Sequence, residues 1–61
     1  MFVLIVDSMW YFVERNGRAV KKSKHLFAAQ LACVGEVERG IPSEELKIVD
    51  NFGKEYKKVG L

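Results

Sequence analysis

The sequence has few of the residues that cross-link small domains through disulfide bonds or bound metal ions. Its single cysteine, Cys33, excludes a disulfide within the chain, and its single histidine, His25, leaves a zinc site without enough ligands. Secreted domains of this size usually carry several paired cysteines, so one cysteine indicates a reducing, cytoplasmic environment. Without such staples, a chain of 61 residues depends on its apolar core or on surface shared with a partner. We expect one domain, residues 1–61.

Long apolar runs and catalytic constellations are also missing. The apolar run over residues 1–6 stops at Asp7, far short of the roughly 20 residues of a membrane-spanning helix, and no Lys or Arg precedes it as in a secretory signal. His25 and Cys33 lie about 12 Å apart along one predicted helix, so they cannot form a catalytic dyad. The glycines are scattered rather than gathered in a phosphate-binding loop. We therefore expect no membrane association, no cofactor, no metal and no enzymatic activity.

The best local signal is a β-hairpin around Asn16-Gly17, which lies between YFVER and RAVKK. Both turn residues tolerate the positive φ that a type I′ turn requires. A two-residue hairpin then places Val13 opposite Val20, on one face of the ribbon. Before it, residues 1–15 form either one long bent strand or two strands with a turn at Asp7-Ser8, and we prefer two strands.

A second hairpin is predicted after the helix. The segment LKIVD alternates apolar and polar residues, residues 51–53 form a turn, and residues 54–59 return as a strand. Ahead of it, Ile41-Pro42 enforces an extended step, and Ser43 is a candidate cap for a single helical turn over residues 43–45. Hairpin, helix and hairpin together predict an α+β fold: an antiparallel sheet of four to five strands packed on one central helix, ββαββ-like.

Residues 23–40 predict that central helix, with Ser23 as a possible N-cap and Gly40 in the C′ position that glycine favours. His25, at its start, is expected at the surface, and Cys33 is expected to be a small core residue. At 100° per residue the larger apolar side chains fall on one arc, with Gln30 inside it. We expect this arc to face the core: Leu26, Phe27, Leu31, Cys33, Val34 and Val37.

The order of elements and the segment LKIVDNFGKEY, with its D-N-x-G-K-x-Y turn, resemble small bacterial and phage-encoded ββαββ domains of uncharacterised function. The resemblance covers most of the chain. It implies a phage-like protein that acts by binding a host protein or a nucleic acid. It assigns no role to individual residues.

The other side of the helix suggests a protein partner. Ala28, Ala32 and Gly35 form a shallow stripe that another backbone can approach closely, and a glycine within a helix costs about 0.8–1 kcal/mol relative to alanine. Bases precede the helix and acids end it, which opposes the helix dipole. We therefore expect a non-enzymatic protein that acts by protein–protein contact, as a homodimer or with another protein. Trp10 and Tyr11 are added to its expected contact residues.

An alternative interpretation is a nucleic-acid-binding module, because bases cluster on the first hairpin and on the last strand. Trp10, Phe12 and Tyr56 are aromatic side chains near these bases on which nucleotides could stack. The alternative requires the two basic groups to share one face. They are Arg15, Arg18, Lys21, Lys22 and Lys24 in the first group, and Lys54, Lys57 and Lys58 in the second.

Overall fold

The structure, a computed structural model, describes residues 9–58. Four strands in this range form an antiparallel sheet in the order β2-β1-β3-β4, and one helix packs against it, so the predicted α+β, ββαββ-like class is confirmed. The predictions for residues 1–6 and for a turn at Asp7-Ser8 lie outside the described residues. The elements in chain order are β1 (Tyr11–Arg15), β2 (Arg18–Ser23), α1 (Leu26–Glu38), a 3₁₀ turn (Ser43–Glu45), β3 (Leu46–Asp50) and β4 (Glu55–Tyr56).

The first hairpin has the predicted turn but a different register beyond it. Asn16 (φ 52°) and Gly17 (φ 84°) both adopt positive φ, as a type I′ turn requires. Arg15 pairs with Arg18 and Glu14 with Ala19, as a two-residue hairpin requires, but Val13 then pairs with Lys21 and not with Val20. Val20 is the extra residue of a β-bulge and is 42% exposed. Because one inserted residue moves every later side chain to the other face, Lys21 and Lys22 lie on the faces opposite to those that a Val13–Val20 pairing implies.

The second hairpin is closed by the side chain of Asp50. Its Oδ1 accepts hydrogen bonds from the backbone N–H groups of Phe52 (2.8 Å) and Lys54 (3.0 Å), while Gly53 takes a positive φ of 87°. Of the described residues, Glu55 and Tyr56 are the two of this strand, β4, that pair with β3; residues 54, 57 and 58 of the predicted 54–59 are not strand, and residue 59 lies outside the described residues. The hairpin is therefore confirmed and its length is corrected.

The core lies between α1 and the two central strands. Val13, Leu46 and Ile48 are buried on the sheet face that α1 covers, and Ala29 and Cys33 meet them from the helix. The prediction that Cys33 is a small core residue is confirmed. Burial raises the pKa of its thiol, with the Lys58 charge opposing that rise and the Glu36 charge adding to it.

The predicted core arc of the helix is only partly correct. Cys33 is buried and Leu26 and Val37 pack against the core, but Phe27 and Leu31 are 69% and 55% exposed. The other buried helix residues are Ala29 and Glu36, the latter paired with Arg39. The reason is that α1 is apolar on nearly every side, so hydrophobic periodicity does not determine which side meets the sheet.

The helix ends differ in how well they match the prediction. Ser23 is not the N-cap: the cap is His25, which is exposed as predicted, and Ser23 Oγ accepts the His25 backbone N–H at 3.1 Å. Gly40 does occupy the C′ position, with φ 101°, and its N–H donates to a carbonyl of the last helical turn at 2.9 Å. The 3₁₀ turn Ser43–Glu45 is present, but Pro42 and not Ser43 stands at its N-cap.

We predict that Ile48→Ala lowers the free energy of unfolding by about 2–5 kcal/mol, because it leaves a cavity at a fully buried position. The matched control is Phe52→Ala, since Phe52 is 79% exposed and its loss should change stability by less than about 0.5 kcal/mol. Urea unfolding followed by circular dichroism measures both. Equal effects of the two substitutions would contradict this placement of the core.

Candidate interaction surfaces

The outward side of α1 carries an apolar stripe, which we call the outer helix face and define by Phe27, Leu31 and Val34. These positions are related by i, i+4 and i+7, so they lie within about 60° of one another around the helix. Phe27 and Leu31 are mostly exposed and Val34 is half-buried. Large apolar side chains scattered singly on a surface are ordinary, whereas these three lie side by side and form one continuous apolar stripe.

The stripe of small residues predicted from the sequence is divided by the fold. Ala32 is half-buried and packs against the core cluster. Ala28 and Gly35 are half-buried and flank the outer helix face. Around Gly35, no described atom other than the helix backbone and the adjacent residues lies within 4 Å of where a Cβ would stand. The fold within residues 9–58 therefore gives no steric reason for glycine at this position.

Trp10 and Tyr11, predicted to act together, are separated. The Tyr11 ring packs edge-on against Tyr56, with ring centroids 5.3 Å apart, on the side of the core. The Trp10 ring instead lies under the ammonium groups of Lys22 at 4.8 Å and Lys24 at 5.2 Å. Because successive residues of an extended chain point to opposite sides, the two aromatic side chains cannot share one surface.

The two basic groups also fail to form one face. The first lies mainly on β2 and the second at β4, and these strands are the opposite edges of the described sheet. Arg15 pairs with Glu45, with 2.9 Å between Nε and Oε1. Lys58 is held by the fold, because its Nζ donates to two backbone carbonyls, of Ser43 at 2.7 Å and Leu46 at 2.8 Å. The other members of the two groups are exposed: Arg18, Lys21, Lys22, Lys24, Lys54 and Lys57.

The bulge places Lys22 on the sheet face that points away from α1. Lys22 pairs with Phe12, which alternates with the buried Val13 and therefore faces the opposite side. A shallow groove of about 280 Å³ lies here, lined by Phe12, Ala19, Val20, Lys21 and Lys22. This face thus combines apolar and basic side chains beside the Trp10 ring.

The most polar buried cluster of the described residues is centred on Asp50. Its Oδ2 accepts the Tyr56 hydroxyl at 2.8 Å, in addition to the two backbone N–H groups on Oδ1. Burial acts to raise the pKa of Asp50, but these hydrogen bonds and the Lys54 charge together hold it below its usual value. The bond donated to Asp50 raises the pKa of Tyr56 to about 12, with burial and the Asp50 charge adding to the rise. The Tyr56 hydroxyl and the Asp50 carboxylate are bonded to each other within the second hairpin. Because the Tyr56 ring also packs against Tyr11, it is not available to stack on a nucleotide base.

We predict that Tyr56 ionises near pH 12. Its pKa is higher in the folded chain than the value of about 10 for an unfolded tyrosine, so the stabilisation is complete below about pH 10 and is lost as the pH rises through about 12. Tyrosinate absorbance at 295 nm should show a step near pH 12 that is absent in Tyr56→Phe. Persistence of that step in the variant would contradict the assignment.

Residues 9–58 contain no cluster of three or more His, Cys, Asp or Glu side chains arranged to hold a metal ion. No helix in the same range has the length and apolar character needed to cross a bilayer. Comparisons with protein-family models, curated proteins and solved structures found no match. The resemblance to phage-encoded ββαββ domains therefore stays a prediction.

Sequence reasoning misplaced Phe27 and Leu31. Their hydrophobicity assigned them to the core, where Ala29 lies instead, beside the correctly predicted Cys33. One signal was available, because Ala29, Cys33 and Glu36 repeat at the spacing of a helix face and Glu36 can be neutralised by Arg39. The sequence contains no comparable signal for the bulge at Val20. The position of Lys22 beside the Trp10 ring was therefore not predictable from the sequence.

Proposed function

We propose that the protein is a non-enzymatic binding protein that makes protein–protein contacts through the outer helix face. The observation that carries the proposal is the exposure of Phe27 and Leu31, which are neighbours one helical turn apart. Removing such a side chain from water contributes about 1.5–3 kcal/mol when burial is complete, so a partner over this face gains substantial stabilisation.

The spacing of the apolar residues supports this function. Side chains at i, i+4 and i+7 form the set of anchors by which a helix docks onto an apolar surface. The flanking Ala28 and Gly35 are short, so they let a partner approach the helix backbone. Two of the three small residues predicted for partner contact thus remain in the proposed surface, joined by three larger residues that the sequence had assigned to the core.

We predict that Phe27→Glu/Leu31→Glu abolishes capture of protein partners while leaving the fold intact, because neither side chain contributes to the buried core. Tagged protein is used to capture proteins from native lysate after nuclease treatment, in the presence of a co-expressed untagged copy of the chain. The matched control is Phe52→Glu, which changes an aromatic side chain on the second hairpin that is also mostly exposed.

The proposal requires bound protein that survives nuclease, remains with Phe52→Glu and is lost with the double variant. Circular dichroism confirms that both variants are folded. Equal capture by the wild type and the double variant would exclude the outer helix face as the binding surface.

A second candidate function is single-stranded nucleic-acid binding, favoured by the two ammonium groups beside the Trp10 ring. A base stacked on an aromatic ring contributes about 1–3 kcal/mol, and nearby lysines bind the phosphates. The bases at the β4 edge do not join this cluster, so the site is smaller than the one predicted from the sequence.

Trp10 is the chain's single tryptophan, so its fluorescence reports binding at this site directly. We predict quenching by an oligo(dT) strand that weakens steeply with salt, with affinity at least tenfold lower in Lys22→Glu and little changed in Lys57→Glu, which lies at the opposite edge. Unchanged fluorescence at low salt would exclude this candidate.

A further inference from the structure

We propose that the sheet face turned away from α1 binds two consecutive unpaired nucleotides, with one base stacked on Trp10, the next on Phe12, and the phosphates along the β2 edge. This inference rests on the second candidate function and defines its ligand. Three features of the face carry it: the alignment of the two aromatic rings, the hollow beside the bulge, and the division of charge between the β2 and β4 sides.

Trp10 and Phe12 lie on the same face of the sheet. They flank Tyr11, which packs on the core side, and Lys22 connects them, because its backbone pairs with Phe12 while its ammonium group lies 4.8 Å from the centre of the Trp10 ring. At roughly 3.3 Å per residue, the two backbone positions are about 7 Å apart. Neighbouring bases in a strand of B-DNA are only about 3.4 Å apart. The two rings therefore match bases that are unstacked from each other, as they are in a single strand.

The bulge at Val20 gives the second base a place to lie. Val20 is 42% exposed and lines the hollow of about 280 Å³ beside Phe12. Ala19 lines the same hollow with a short side chain, so a planar base can reach the Phe12 ring from the β2 edge. A second hollow, of about 440 Å³, is lined by Val20 and Arg18. Because they share Val20, the two hollows adjoin along β2, which gives the ligand backbone a continuous course.

The charges of this face are divided between its two sides. Lys22 stands opposite Phe12 on β2, whereas on the other side Val49 on β3 and then Glu55 on β4 continue the same row. Phosphates are attracted to the β2 side and repelled by the carboxylate on the β4 side, so the ligand backbone follows β2 and its bases point inward across the sheet. The exposed bases of β2 are Arg18, Lys21 and Lys22.

Glu14 limits the platform to two bases. It lies on the same face as Phe12, two residues nearer the turn, and it has Lys47 opposite it on β3. A third base placed beyond Phe12 would meet this carboxylate and not an aromatic ring. The structure therefore assigns a stacking position to Trp10 and to Phe12, and to no later residue of β1.

The test uses Trp10 fluorescence at low salt to measure how the full chain binds a thymidine dinucleotide with phosphates at both ends. Two analogues carry the same phosphates but lack one base or the other. The wild type should bind the dinucleotide about fivefold or more tightly than either analogue, since stacking a second base on a ring contributes at least that factor. In Phe12→Leu, which keeps an apolar side chain but loses the ring, this advantage should disappear. The analogue whose remaining base stacks on Trp10 should bind as it does to the wild type, which shows that the variant is folded.

Val20→Glu is a second variant, at a position that is exposed and outside the core. It should also remove the advantage of the dinucleotide, because it places a carboxylate in the hollow beside Phe12. The course of the phosphates is tested with an oligo(dT) strand. Arg18→Gln should lower the slope of log affinity against log salt concentration by about one, whereas Lys57→Gln, at the opposite edge, should leave the slope unchanged.

A wild type that binds the dinucleotide no more tightly than its analogues would overturn the inference. If Lys22→Glu still weakened the quenching by oligo(dT), the second candidate function would stand. A change of slope in Lys57→Gln and none in Arg18→Gln would overturn the proposed course of the phosphates. Equal quenching by a glutamate oligopeptide at the same salt concentration would also overturn the inference, because the face would then select charge without bases and its ligand would be an acidic protein segment.

Discussion

The packing of Ala29 and Cys33 against Val13 and Ile48 is the contact on which the rest of the structure depends. Short side chains on the helix match β-branched side chains on the two central strands, so α1 is held against the sheet by its smallest apolar residues. This packing determines which side of the helix faces the sheet. The bulky residues Phe27 and Leu31 consequently point away from the core, which gives a small domain with a modest interior and an apolar exterior.

The same packing explains why the candidate surfaces are separate. The outer helix face lies on one side of the molecule, and the Trp10 cluster with Lys22 belongs to the sheet face on the other. Two layers leave two faces uncovered among the described residues, and each carries a distinct chemistry: apolar on the helix, aromatic and basic on the sheet. A protein partner and a nucleic acid would therefore compete for no common residue, and the two proposed activities are experimentally separable.

Much of the fold was predictable from the sequence, because local chemistry decides it. The Asn16-Gly17 turn, the glycine at the C′ position of α1 and the second hairpin all follow from residues whose backbone preferences are strong. The two candidate interaction surfaces were less predictable, because their composition depends on long-range packing. A helix apolar on nearly every side can rotate without changing its local pattern, and a bulge at Val20 moves Lys22 to the other face without a local signal.

The most direct test of this account compares Leu31→Ala with Ala29→Leu by urea unfolding, at a concentration low enough for the chain to be monomeric. The account predicts a change below about 0.5 kcal/mol for Leu31→Ala, which removes an exposed side chain, and a loss of about 1–3 kcal/mol for Ala29→Leu, which overfills a buried contact. The reverse result would contradict it. A loss of about 2–5 kcal/mol in Leu31→Ala with tolerance of Ala29→Leu would place the outer helix face in the core.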